Sequence, residues 1–264
     1  MDLQLDNKTA VVTGSTAGIG LAIASTLARE GANVIVNGRS DGSVARALER
    51  IKQAGAKGKL RGVAADLGNA DGVAKLVREI PETDILVNNL GIFEPRPFEE
   101  ISDADWMRFF ETNVMSGVRL SRAYLPKMKQ TDWGRIVFIS SESALQIPPE
   151  MIHYGVTKTA QIAVARGLAE TCAGTGVTVN AVLPGPTASE GVKEFVEALA
   201  QTNKQTPEEF EKDFFKNARP TSLLKRFAKP EEVAPLVAFV CSPLASATNG
   251  AALRADGGVV KSPF

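Results

Sequence analysis

The chain has 264 residues, 44% of them hydrophobic and 23% charged, and its thirty basic and thirty acidic side chains cancel. That length suits one large α/β domain or two small ones, and zero net charge offers no global field to recruit nucleic acid or an anionic membrane. Isolated cysteines at 172 and 241 read as reduced core residues, and no apolar run reaches the roughly 18–20 residues of a membrane span.

The N-terminus carries neither a basic leader nor an apolar signal core, so a cytoplasmic protein is expected. Short apolar runs then alternate with longer amphipathic ones. The first predicted strand, 9–13, runs into Thr13-Gly-Ser-Thr-Ala-Gly-Ile-Gly20 and a helix over 19–30. Gly14, Gly18 and Gly20 permit a tight turn and close approach of backbone to an anion, and the helix start aims free N–H groups and a positive dipole end at it. A strand, a glycine loop and a helix in that order favour a dinucleotide site over a plain turn.

The second predicted strand, 33–37, ends in Asn37-Gly-Arg39, where NAD sites often carry a carboxylate for the ribose hydroxyls. A guanidinium at Arg39 can instead bind a 2′-phosphate, so NADP(H) is favoured with NAD(H) as the alternative. Asp66, after a strand over 59–65, suits either an adenine amino group or a helix N-cap. Beyond a fourth strand, 85–88, the run Asn88-Asn-Leu-Gly91 would close around the adenosine half.

A long helix is predicted over 103–129, then a strand over 135–140 that delivers Ser141. Tyr154 and Lys158 open a helix over 154–173, four residues apart and so on one face. A free phenol, with a pKa of about 10, is a weak acid–base catalyst at neutral pH; a cation one turn away lowers that value. A serine hydroxyl beside it would complete a proton-transfer site for a carbonyl or an alcohol. A strand over 178–183 follows, then the loop Pro184-Gly-Pro-Thr187. The chain next makes an excursion near 188–220, read as a helical substrate lid with stretches over 190–201 and 207–217. A helix over 230–241 and a strand over 251–255 close the pattern.

Strands separated by helices of this length imply right-handed parallel βαβ units. The expected fold is α/β: a three-layer, Rossmann-like, doubly wound parallel sheet in a single domain over 1–264. With no linker or repeat in view, nothing divides it.

The ordered set Thr13-Gly-x-x-x-Gly-x-Gly20, Asn88-Asn-x-Gly91, Asn113, Ser141, Tyr154-x-x-x-Lys158, Pro184-Gly185 and Asp256-Gly-Gly258 resembles the short-chain dehydrogenase/reductase family from about residue 8 to 260. Leu90 and Ala144 depart from the alanine and glycine frequent there. The resemblance implies a catalytic set of Ser141, Tyr154, Lys158 and Asn113. Tyr154 would be general acid in reduction and general base in oxidation, and Lys158 would also hold the nicotinamide ribose. Ser141 would hold the carbonyl oxygen, and the Asn113 carbonyl would hold a water linking Lys158 to solvent. Cofactor contacts are implied at Gly14, Ser15, Thr16, Gly18, Ile19, Gly20, Arg39, Asp66, Leu67, Asn89 and Gly91. Tyr154, Lys158, Pro184, Gly185 and Thr187 would complete them. No metal is needed. A homotetramer is implied, with a dimer second.

Phe93, Leu145, Ile147, Met151 and Phe195 are expected to give the substrate pocket an apolar lining, with Arg96 either binding a carboxylate or lying on the surface. His153 is placed near the cleft rim without a role as base, and Glu142 and Glu150 as solvated charges without partners. The function expected is oxidoreduction of a small-molecule carbonyl or alcohol. A 3-oxoacyl-carrier-protein reductase is the narrower alternative, disfavoured by the seven acidic against four basic residues between 190 and 216. A non-catalytic dinucleotide-sensing regulator is the reading from another class.

Overall fold

Extended chain sends successive side chains to opposite faces. In β1 (Thr9–Val12), Ala10 and Val12 accordingly enter one buried cluster while Val11 enters another. The computed structural model describes residues 1–192 and 205–263. Among these, β1 shares a sheet with β2 (Asn33–Gly38), β3 (Leu60–Ala64), β4 (Ile85–Asn88), β5 (Gly134–Ile139), β6 (Val177–Pro184) and β7 (Ala252–Ala255). All neighbours are parallel and the order is β3-β2-β1-β4-β5-β6-β7, the expected doubly wound, Rossmann-like sheet. β4, β5 and β6 are buried at every position, which is why they read as continuous apolar runs rather than alternating ones.

One face is covered by α1 (Gly18–Arg29), α2 (Asp41–Gln53) and α8 (Pro230–Val240), which bury Leu27, Ile51 and Val237. The other carries α3 (Ala70–Glu79), α5 (Ser116–Gln130) and α6 (Ile152–Thr171), with Leu76, Leu120 and Ala165 inward. Each fully buried aliphatic side chain of leucine size contributes about 1.5–3 kcal/mol. The buried Tyr124 hydroxyl donates to Ile80 O at 2.9 Å, so its burial leaves no orphan.

The helix expected over 103–129 is present without a break over residues 103–130, but it carries a π turn that the pattern did not show. α4 (Asp103–Phe110) and α5 are joined by a π turn over Glu111–Met115, and Asn113 lies inside it. Such turns insert one residue and often mark functional sites. The sheet order reverses between β1 and β4, opening a cleft beyond their carboxyl ends. Beyond β6 the excursion includes α7 (Pro207–Asp213), started by a Thr206–Glu209 capping box and followed by a π turn over Phe214–Ala218. Most of the expected 190–201 stretch, with Phe195, lies outside the described residues. Among those described, no helix is long and apolar enough to cross a membrane.

Candidate active site

The glycine loop is built by its neighbours. Gly14 and Gly18 have φ of +58° and +54°, a left-handed backbone that side chains rarely adopt. A Cβ on Gly20 would lie 2.4 Å from both the Asn89 amide and Gly14 O. The Asn89 side chain donates to Thr13 O and Gly14 O at 2.9 and 3.1 Å, clamping the loop to the end of β4. Asn37, buried at the end of β2, accepts from Gly14 N and donates to Val63 O and Ala65 O.

Ser15 has both donors committed: its hydroxyl bonds Val12 O at 2.7 Å and its amide bonds Asn37 O. The Thr16 methyl faces Gly38, where a Cβ would come within 2.4 Å of it. Arg39 is exposed just beyond β2, Asp66 caps its own turn at Gly68 N, and Leu67 is buried. The first turn of α1 has no acidic residue and no side-chain cap, yet Glu190 brings a carboxylate to Gly18 N at 2.6 Å. Burial alone would raise that carboxyl; its own backbone amide, Gly18 N and Arg50 outweigh burial and hold it below the usual carboxylate range. An anion thus already sits on this helix start, and the cradle fits a dinucleotide pyrophosphate.

Ser141, Tyr154 and Lys158 line one cleft of about 460 Å³ with Ile19, Asn89, Gly91, Gly185 and Thr187. Lys158 comes in under Gly91, where a Cβ would stand 3.3 Å from its Nζ. Its ammonium donates to Ile139 O at 2.9 Å and Gln161 Oε1 at 3.2 Å, and burial lowers its pKa to about 8 against a weaker opposing pull from Glu142. It lies 5.6 Å from the centre of the Tyr154 ring.

The phenol does not behave as the i,i+4 argument anticipated. Burial, then the Glu142 charge, push its pKa above the ordinary tyrosine value; the Ser141 hydroxyl and Arg219 oppose them without prevailing. Desolvation dominates the shift, and the one cation that counters it is Arg219 rather than Lys158.

Asn113 is fully buried, its side chain bonded to Ile92 N, Ile92 O and Thr157 Oγ1. Its carbonyl, expected to hold a water, accepts from Gln161 Nε2 at 2.6 Å. Gln161 therefore ties the lysine and the π turn together. It lies inside a run of small residues and was passed over in the sequence analysis; a polar side chain one turn beyond Thr157 and Lys158, on the face they share, was the available signal. Thr187 is buried with its hydroxyl on Gly185 O, and a Cβ on Gly185 would meet Asp256 O at 2.4 Å.

Several expectations around the substrate are corrected. Glu142 is buried and pairs with Arg219 Nε at 3.2 Å, while Glu150 meets Arg219 Nη1 at 3.0 Å, so neither is an unpartnered loop charge. Arg96 is committed to Glu94 and Asp105. His153 packs against Phe109, ring centres 4.0 Å apart, rather than at the rim, and burial lowers its pKa, so it stays neutral at neutral pH. Leu145 and Ile147 face outward; the apolar lining comes from Phe93, Met151, Phe210, Phe214 and Phe227.

The family model for short chain dehydrogenases matches residues 8–200. Over its full length and that of its relative, the chain is 52% identical to the uncharacterised oxidoreductase YvaG of Bacillus subtilis. It is 36% identical to a D-beta-hydroxybutyrate dehydrogenase of Cupriavidus necator, covering 97% of this chain and 99% of that one. Its fold is similar to L-sorbose reductase of Gluconobacter frateurii complexed with NADPH and L-sorbose, with a TM-score of 0.93 and 31% identity over 99% of this chain and 100% of that one. With the motif set, the parallel sheet and the cleft in agreement, the chain belongs to the short-chain dehydrogenase family of oxidoreductases.

Proposed function

We propose that this protein interconverts a small-molecule carbonyl and its alcohol with NADP(H), Tyr154 serving as general acid in reduction and general base in oxidation. The observation that carries the reading is the convergence of Ser141, Tyr154 and Lys158 on the same cleft as the glycine loop. A bound nicotinamide supplies or accepts the hydride; the chain supplies position and the proton. The phenol carries its proton at neutral pH and can pass it to a carbonyl oxygen as negative charge develops there; burial holds its pKa up and opposes release, and a neighbouring cation favours it. Lys158, ammonium below about pH 8, would hold the ribose and steady that phenol. Asn113 and Gln161 would fix the lysine.

NADP(H) is favoured because β2 ends without a carboxylate and Arg39 stands exposed beyond it. In this reading Gly14, Thr16, Gly18, Ile19 and Gly20 hold the pyrophosphate side, and Asp66, Leu67, Asn89 and Gly91 the adenosine side. Pro184, Gly185 and Thr187 would lie against the nicotinamide. Tyr154→Phe should abolish carbonyl-dependent NADPH oxidation in stopped-flow absorbance while NADPH binding stays within about threefold. Normal turnover in that variant would remove Tyr154 from the role. A wild type that binds NADPH but never oxidises it would favour the regulator.

A further inference from the structure

Ser141 has one hydroxyl proton, and of the two groups beside it, the Tyr154 phenol and Glu142, the carboxylate can only accept: Oγ donates to Glu142 Oε2 at 2.5 Å, leaving the phenol to donate to Oγ. Ser143 N occupies an acceptor position of the same oxygen at 3.1 Å. The other Glu142 oxygen takes Arg219 Nε, and Arg219 is shared with Glu150 and Ala218 O. Two carboxylates on one guanidinium leave this wall of the cleft net negative, and all three side chains line the cleft with Tyr154. A buried carboxylate must keep its hydrogen bonds, because an unpaired one is strongly disfavoured.

While the Ser141 proton belongs to Glu142, it cannot also stabilise a carbonyl oxygen. A productive substrate must therefore give Glu142 a replacement donor. A hydroxyl on the carbon beside the carbonyl does so: it donates to Oε2, and the Ser141 O–H turns to the carbonyl oxygen. A simple ketone leaves Glu142 one bond short. A keto acid brings a second negative charge and no donor.

We infer that Glu142 is a specificity-determining residue that selects neutral substrates carrying a hydroxyl vicinal to the reacting carbon, by accepting that hydroxyl's hydrogen bond and releasing Ser141. The inference rests on the oxidoreductase reading above and adds the substrate class to it. Sites built to pair with a substrate hydroxyl reject analogues that lack it, because their own polar groups are then left unpaired.

The test is NADPH oxidation with 1-hydroxy-2-butanone, 2-butanone and 2-oxobutanoate, which share a carbon skeleton. The wild type should prefer the hydroxyketone in kcat/KM by about tenfold or more over the ketone, with the keto acid last. Because the hydroxyl also activates the carbonyl electronically, the deciding readout is how that ratio changes in two variants. Glu142→Gln removes the charge in nearly the same shape. Glu142→Leu paired with Arg219→Met removes both members, so that no guanidinium is left buried alone. In both, the hydroxyketone-to-ketone ratio should fall by about tenfold, and in Glu142→Gln, which alone of the two lowers the wall's negative charge, the keto acid should gain relative to the ketone. A ratio unchanged in both variants, with turnover present, overturns this inference alone. A wild type that oxidises NADPH with none of the three overturns it together with the proposed function.

Discussion

Removing the Glu190 carboxylate should tighten cofactor binding. Glu190 accepts from Gly18 N at 2.6 Å at the start of α1 and meets Arg50 at 3.2 Å. The ion pair is about half exposed, with side-chain exposures of 57% and 45%, and so contributes less than about 1 kcal/mol. A hydrogen bond to a charged group contributes about 1.5–3 kcal/mol when well shielded, and a helix N-terminus adds about 0.3–1. Discounted for the exposure of Glu190, the carboxylate's hold on the loop is about 1–1.5 kcal/mol. A cofactor pyrophosphate must displace it.

At about 1.4 kcal/mol per factor of ten, Glu190→Ala should lower the NADPH dissociation constant about five- to tenfold. Fluorescence titration of NADPH at low ionic strength would measure this, and added salt should shrink the gain. The gain should persist down to pH 5, since a carboxyl held below its usual range is still ionised there. An unchanged or weaker NADPH affinity in the variant would refute the competition.

The depressed Lys158 value predicts a stability effect. Below about pH 8 its ammonium is buried at a penalty, whereas the unfolded chain binds that proton up to about 10.5. Urea unfolding should therefore show the cofactor-free wild type gaining on the order of 2 kcal/mol relative to Lys158→Met between pH 8 and 10; a flat difference would contradict the burial argument. Gln161→Leu should lower kcat about tenfold and move the pH–rate profile to lower pH, because the lysine loses an acceptor, while NADPH affinity stays within about threefold. A kcat loss with an unmoved pH profile would mean that Gln161 only packs. Arg39→Asp should reduce the NADP-over-NAD preference in kcat/KM at least tenfold; no change would leave Arg39 a surface charge.

The sheet was legible in the sequence because buried parallel strands leave short Val/Ile-rich runs, and each predicted strand falls within about a residue or two of the observed one. Ser141, Tyr154 and Lys158 were legible because helix and strand geometry bring fixed spacings together. The Arg219–Glu142 pair was not: its members are 77 positions apart, and no local pattern joins them. The π turn at Asn113 was hidden because one inserted residue hardly alters an amphipathic pattern. Ser15 resembled a ligand contact, yet its hydroxyl closes the loop on Val12. The sign of the Tyr154 shift was missed because spacing reports a neighbouring cation but not the extent of desolvation.

Asn37 constrains how this chain could change its nucleotide. Many dinucleotide sites acquire NAD preference by placing an acid at the end of the second strand. Here that side chain donates two hydrogen bonds to Val63 O and Ala65 O while receiving one from Gly14 N. Aspartate has the shape but no protons to give when ionised, so it would face two carbonyls with repulsion and loosen the loop it was meant to retune. The route to a different nucleotide runs through exposed Arg39, two residues farther on, where a new charge disturbs nothing that the fold requires.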